Sequence, residues 1–232
     1  MTYAERKKRL SETFKPRQEW WSRVFATPIA NAVLHMVADW KFITPNRLTM
    51  MSLFLTYVTA LCISFGAKDW LLIAAVLLQV AYVLDCMDGQ LARYRGISSS
   101  FGSFLDKWSD FVKFPMIILA LTVESSHRVH SPLTIVIGFL TLFFICYEPY
   151  LRCLAKSELS IAPWETLTAG NFIERNLRFF LFEEAQWYLV VSVCLVANSP
   201  TWALRVLCVT QGIRSFAYTI YVLKTARYGD GK

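Results

Sequence analysis

The apolar positions of this chain fall into long blocks separated by short polar stretches. Blocks near 47–66, 69–90, 102–123, 132–154, 176–197 and 201–226 each come close to the roughly 20 residues that a hydrocarbon core requires of a helix. The pattern predicts an all-α, polytopic membrane protein with six transmembrane helices. Thr44 and Pro45, an N-cap followed by a helix-starting proline, mark where the first of them opens. The piece at 27–40 has a different pattern. Ile29, Val33, Met36, Val37 and Trp40 share one helical face, with Asn31, His35 and Asp39 elsewhere. It is too short to span, so an interfacial amphipathic helix is expected, anchored at headgroup level by Trp20, Trp21 and Arg23. Packing of the same helix against the bundle is compatible with that reading. The expected organisation is an N-terminal segment at 1–43 carrying the interfacial helix, a six-helix membrane domain at 44–226, and a short tail at 227–232.

Composition agrees with the pattern. Of the 232 residues, 55% are hydrophobic and only 18% are charged, against about a quarter in a soluble domain. The net charge of +7 would suit nucleic acid, but the basic residues flank apolar spans. Topology and anionic lipid account for them better, and no nucleic-acid partner is expected. Nine lysines and arginines precede the first span, up to and including Arg47. Arg93 and Arg95 follow the second span, Arg152, Lys156, Arg175 and Arg178 lie between the fourth and fifth, and Lys224, Arg227 and Lys232 end the chain. The other side has Lys68, Arg128 and Arg205. This asymmetry places both termini in the cytoplasm. The basic N-terminal stretch has no apolar segment directly after it, so no cleavable signal peptide is expected. Six cysteines without a CxxC pair, most of them in apolar runs, read as small buried hydrophobes rather than a zinc or disulfide framework.

Against this apolar background stands the run VLDCMDGQLARYRGISSSFGSFLDKWSDF, with the pattern D-x2-D-G-x2-A-R-x8-G-x3-D-x3-D. Asp85 and Asp88 share a face of the second helix, and Asp106 and Asp110 share a face of the third, with Gly102 one turn earlier. If the two helices are antiparallel neighbours, the pairs converge at the cytoplasmic boundary. Converging carboxylates repel unless cations lie between them. The run has no histidine, and an all-oxygen donor set suits Mg²⁺ or Mn²⁺. Two divalent ions bridged by shared carboxylates would suit displacement at phosphorus. Gly89 would let a phosphate approach the helix backbone, Ala92 keeps that surface low, and Arg93 offers a planar fork suited to a pyrophosphate. The structural alternative is a bundle in which Lys107 and Lys113 pair with these acids. An aspartate costs about 2.5–3.5 kcal/mol at the centre of a span on insertion scales, so four kept only for pairing would be a heavy burden.

The run resembles the defining motif of the CDP-alcohol phosphotransferase family. Asp85, Asp88, Gly89, Ala92, Arg93, Gly102, Asp106 and Asp110 fill every specified position of that motif. ITPNRLT looks like the Pro-Asn-x-x-Thr stretch that often opens this family's first core helix, which would put Asn46 and Thr49 near the nucleotide. The resemblance implies transfer of a substituted phosphate from a CDP-linked donor to an alcohol, with release of CMP. It implies that Asp85, Asp88 and Asp106 bind metal, that Asp110 helps hold a second metal and acts as general base, and that Asp85, Gly89, Ala92, Arg93 and Gly102 shape the CDP pocket. Dimerisation is common in the family, so a homodimer is among the implied partners, although no interface motif stands out.

The acceptor is read from the later helices. Arg152, Lys156, Arg175, Arg178 and Arg214 lie on or near them, and Arg214 stands inside the sixth span, where an unpaired cation is costly. One account is topology for the first four and pairing of Arg214 with Glu148, Glu183 or Glu184. The other is a basic pocket for a phosphate-bearing acceptor, similar to the arrangement in phosphatidylinositol-phosphate synthases of the family. The expected activity is therefore phosphatidyl transfer from CDP-diacylglycerol to a soluble alcohol such as inositol phosphate or glycerol phosphate. A CDP-choline or CDP-ethanolamine enzyme acting on diacylglycerol is the alternative within the same chemistry. A transporter with an aspartate relay is a further alternative, though a relay needs no Gly-Ala-Arg insert.

Overall fold

The computed structural model describes residues 9–10, 12–13, 19–97, 99–161 and 184–229. These form helices joined by short turns, with no strand among them. A π-helical stretch, Ser22–Ala26, leads into α1 (Thr27–Val37). Then come α2 (Pro45–Phe65), α3 (Lys68–Arg95), α4 (Ser100–Val129), α5 (Pro132–Leu159), α6 (Glu184–Val196) and α7 (Pro200–Gly229). The protein is an integral membrane protein, and α2, α3, α5 and α7 are long and apolar enough to cross a bilayer. The 30-residue α4 is long enough but carries Asp106, Lys107, Asp110 and Lys113 in its first half. Of α6, 13 residues are described, and they are apolar. The expected fifth span at 176–197 thus lies partly outside the described residues.

Local chemistry sets the helix ends. Thr44 is extended, and its hydroxyl accepts the Arg47 backbone N–H at 3.3 Å, with Pro45 in the first turn, so the sequence signal for this start holds. Gly66 closes α2 and Gly96 closes α3, at φ +72° and +63°, where a side chain would be strained. Ser99 caps α4 by accepting from the Gly102 N–H at 2.9 Å. Two boundaries differ from the sequence reading. Arg93 and Arg95 form the last turn of α3 rather than a loop, and Arg152 and Lys156 lie on α5 rather than after it. Cations in the last turn complement the helix dipole, so the helices run on through them.

The packing of α2 on α3 positions the site. Thr49, Ser52, Thr56 and Thr59 form one buried stripe of small polar residues along α2. Their size lets the helices approach, and their hydroxyls are satisfied by backbone carbonyls or by α3. Ser52 donates to the Ala81 carbonyl at 2.9 Å. At the head of the stripe, Thr49 donates to Asp88 Oδ2 at 2.5 Å. α6 is fastened to α3 by Gln79, whose amide donates to the Tyr188 carbonyl (3.0 Å) and Ser192 Oγ (2.8 Å). Tyr82 stacks on Tyr188 at 4.5 Å, and Glu19 accepts the Ala185 N–H at the start of α6.

A helix, Thr27–Val37, covers the first part of the stretch expected at 27–40, and it packs through a face other than the apolar one seen in sequence. Ala26, Ala30, Leu34 and Ala38 are buried, whereas Ile29, Val33, Met36 and Trp40 are exposed. The three alanines allow close approach to α3, and Leu34 fills the space between them. Just past the end of α1 the contacts are polar and specific. Tyr94 Oη donates to Asp39 Oδ1 at 3.0 Å, and Arg95 binds the carbonyls of Ala38 and Trp40 at 2.8 Å. All six cysteines are free thiols.

Candidate active site

The turn between α3 and α4 brings the aspartates together as the spacing predicts. Asp85, Asp88 and Asp106 each offer an oxygen within 4.8 Å of the others. Carboxylates so close, on two different helices, form a donor set of oxygen alone, the chemistry that Mg²⁺ or Mn²⁺ prefers. Asp88 is buried and held by Thr49, and a fixed ligand of this kind binds better than a mobile one. The residues present therefore fit a divalent ion.

Asp110 is oriented differently. It falls in a second group with Asp85 and Glu184, whose oxygens also lie within 4.8 Å of one another. This group already holds a cation of the protein's own. Lys113 donates to Asp85 Oδ1 and pairs with Asp110 Oδ1 at 2.8 Å. Its side chain is 1% exposed, against 15% for Asp85 and 26% for Asp110. Lys113 is three residues beyond Asp110 on α4, hence one turn deeper on the same face.

The remaining motif residues gather around the first group. The Arg93 guanidinium lies over Gly89, where an added Cβ would stand 3.3 Å from Nη1. Arg93 Nε also donates to the Thr13 carbonyl at 2.7 Å, which draws the N-terminal segment to the site. A Cβ on Gly102 would meet Ser99 Oγ at 3.1 Å and Asn46 Oδ1 at 3.5 Å, so Asn46 and Gly102 border the same space. Ala92 sits one residue before Arg93 on α3, half-buried. From Asn46 and Arg47, an open groove of about 700 Å³ runs between α2 and α4, lined by Met50, Met51, Phe54, Phe101 and Leu105.

The basic residues are brought together in part. Arg214 on α7 pairs with Glu148 Oε2 at 2.8 Å, and Arg152 on α5 bonds Glu148 Oε1 from the other side. Glu148 is the partner chosen among those the sequence offers. The Arg152 guanidinium also lies 5.3 Å from the Tyr218 ring centre. Lys156 is exposed one turn beyond Arg152. Arg175 and Arg178 lie outside the described residues. The pairing of Lys113 with these acids, the structural alternative in the sequence, is present, whereas sequence reading missed Glu184 as a member of the acidic centre. The i, i+3 spacing of Asp110 and Lys113 was the available signal for the lysine, and nothing local points from Glu184 to a helix a hundred residues earlier.

The profile of the CDP-alcohol phosphatidyltransferase family matches residues 42–196, which contain the whole motif and both helices that carry it. The chain belongs to that family and is a transferase, one whose members use divalent metals. Archaetidylinositol phosphate synthase from Pyrococcus horikoshii is 30% identical over 151 residues, covering 65% of this chain and 73% of that one. The fold is similar to phosphatidylinositol phosphate synthase of Mycobacterium tuberculosis in crystals with CDP-DAG bound. That match has a TM-score of 0.61 and 18% identity, over 85% of this chain and 93% of that chain. The same enzyme in complex with manganese and citrate gives a TM-score of 0.56 at 21% identity, over 85% and 88%.

Proposed function

We propose that the protein is a phosphatidyltransferase that takes CDP-diacylglycerol as donor and a soluble phosphorylated polyol, such as inositol phosphate or glycerol phosphate, as acceptor. The observation that carries this reading is the convergence of Asp85, Asp88 and Asp106 from two helices within reach of one ion. Asp85, Asp88 and Asp106 hold Mg²⁺ or Mn²⁺, which when bound offsets charge on the pyrophosphate and makes CMP a better leaving group. Gly89, Ala92, Arg93, Gly102, Asn46 and Thr49 border the nucleotide. Arg93 binds pyrophosphate oxygens, and Gly89 lets them approach α3. The groove between α2 and α4 supports a lipid donor, because its polar end lies at Asn46 and its apolar length leads away from the site.

Asp110 is the general base. Its Oδ1 is buried against Lys113, so the exposed part of the side chain is what an acceptor meets. The acceptor hydroxyl oxygen attacks the lipid-bearing phosphorus, its proton passes to the Asp110 carboxylate, and the bond to the CMP oxygen breaks with its electron pair. Arg152 and Arg214 support a phosphorylated acceptor. Two guanidiniums meet on the single carboxylate of Glu148, a basic grouping that suits an anionic ligand. The similar enzymes from Pyrococcus horikoshii and Mycobacterium tuberculosis are inositol-phosphate lipid synthases by name, which favours inositol phosphate over serine. The membrane arrangement that goes with this reading has six spans, α1 on the inner leaflet, and both termini and the active site cytoplasmic, so that donor tails stay in the bilayer.

The test is CMP release by purified protein in detergent or nanodiscs, with CDP-diacylglycerol against inositol phosphate, glycerol phosphate, inositol and serine, and with Mg²⁺ or Mn²⁺. Release only with a phosphorylated acceptor and a divalent ion is expected. Turnover of CDP-choline with diacylglycerol in place of these would refute the donor assignment.

A further inference from the structure

We propose that Lys113 is a resident cation of this active site. Its ammonium fills the place between Asp85 and Asp110, so the chain takes one divalent ion, at Asp85, Asp88 and Asp106, where two are expected from the motif. The inference rests on the proposed reading of those aspartates as a metal site.

The acidic centre is layered from the α3–α4 turn inward. Asp88 and Asp106 are nearest the turn, Asp85 and Asp110 come one turn further in, and Lys113 lies one turn beyond them on α4. Asp85 belongs to both carboxylate groups. In the shallow group the described residues supply no ammonium or guanidinium within salt-bridge distance of Asp88. In the deep group a lysine reaches both Asp85 and Asp110.

Three features make that lysine a fixture rather than a passing occupant. Its side chain is enclosed at 1% exposure. It is tethered to the helix that carries Asp110, at a spacing that keeps the two side chains adjacent. To leave, its charge would have to stand unpaired in a buried, apolar place, which costs far more than any surface rearrangement. A divalent ion bridging Asp85 and Asp110 would compete with the ammonium for their Oδ1 atoms or be confined to their second oxygens, at about 2.0–2.1 Å for Mg²⁺, and in either place would sit beside the ammonium with like charge. Glu184 completes the argument. It opens α6, faces the same two aspartates, and keeps Oε1 buried without a hydrogen-bond partner among the described residues. A further carboxylate there is a counterweight to a permanent positive charge in the deep layer. The division of labour follows. The exchangeable ion works on the nucleotide side, and Lys113 fixes Asp85 and Asp110, holding the base toward the acceptor. Lys113 is thus a positioning residue.

The experiment is a count of bound Mn²⁺, by isothermal titration and by electron paramagnetic resonance, on full-length protein stripped with EDTA, with Mn²⁺ alone and again with CDP added. Wild type is expected to bind one Mn²⁺ per chain with an isolated-ion spectrum. Lys113→Ala and the neutral, similarly sized Lys113→Gln open a three-carboxylate site and are expected to bind two, with spin coupling between close ions. Lys113→Arg is expected to stay at one. A wild-type count of two with coupled spectra overturns the inference whatever the variants do, and so does a count of one that both neutral variants leave unchanged. Wild type that binds no Mn²⁺, with or without CDP, would instead overturn the metal-site reading beneath it.

Discussion

Two buried charge clusters sit at opposite ends of the same helices. At the far end, Arg128 near the close of α4 bonds Glu124 Oε1 at 2.5 Å, the Asn198 carbonyl at 2.9 Å and the Gly66 carbonyl at 2.7 Å. One cation meets one carboxylate, and its spare donors tie the end of α2 to the turn before α7. At the near end, Lys113 lies between Asp85 and Asp110 with Glu184 beside them, Asp88 and Asp106 group with Asp85, and Arg93 lies at the edge over Gly89. The far cluster is complete in itself, so it stabilises the fold and offers a ligand nothing. Among the described residues, five carboxylates gather around one ammonium, and carboxylates so close repel unless cations lie between them. At Glu148 the ratio is reversed, with the guanidiniums of Arg152 and Arg214 on one carboxylate. Local charge balance, more than burial or polarity, separates scaffold from site in this bundle.

The largest test of that contrast is Asp88→Asn. The amide keeps an acceptor for Thr49 but removes a ligand charge. Turnover should fall by about a thousandfold or more and Mn²⁺ affinity should fall with it. The melting temperature of metal-free protein should hold or rise, because repulsion is relieved. A large loss of stability would place Asp88 with the scaffold. Asp110→Asn comes next. Loss of a general base predicts a drop of about 10²–10⁴ in kcat with CDP-donor binding retained, and full activity would refute the role. Arg214→Ala should raise KM for a phosphorylated acceptor by about 10- to 100-fold, the effect of one charge-assisted contact of about 1.5–3 kcal/mol. It should change an uncharged acceptor far less. Equal effects on both would mean that Arg214 only neutralises Glu148. Arg128→Gln is the converse control. It strands a buried carboxylate, so melting should drop by several degrees, at about 2–4 °C per kcal/mol for a chain of this size, while kcat/KM stays within about twofold.

Much of this arrangement was readable before any coordinates. The helix start at Thr44 was read from residue chemistry over one turn, whereas the cap at Ser99 and the stop at Gly96 lie outside the apolar blocks and were not read. The convergence of Asp85, Asp88 and Asp106 follows from periodicity plus a short connection. What escaped was tertiary pairing. The partner of Arg214 had three sequence-level options, and packing of α5 against α7 selects Glu148. Glu184 reaches the acidic centre only because Gln79 and Tyr82 hold α6 against α3. The apolar face of α1 was identified as a face, but the contact with the bundle is made by Leu34 together with Ala26, Ala30 and Ala38, whose small side chains give little hydrophobic signal. Lys113 was seen only as a structural counterion for the aspartates, since spacing cannot say that its ammonium lies between two of the motif's own carboxylates.

The most direct measurement of the central claim is the anomalous scattering of Mn²⁺ in crystals of the protein grown with CDP-diacylglycerol. The account predicts a peak at coordination distance from oxygens of Asp85, Asp88 and Asp106 together, bridging α3 and α4. A manganese bound elsewhere, with those three carboxylates turned onto protein cations, would contradict it.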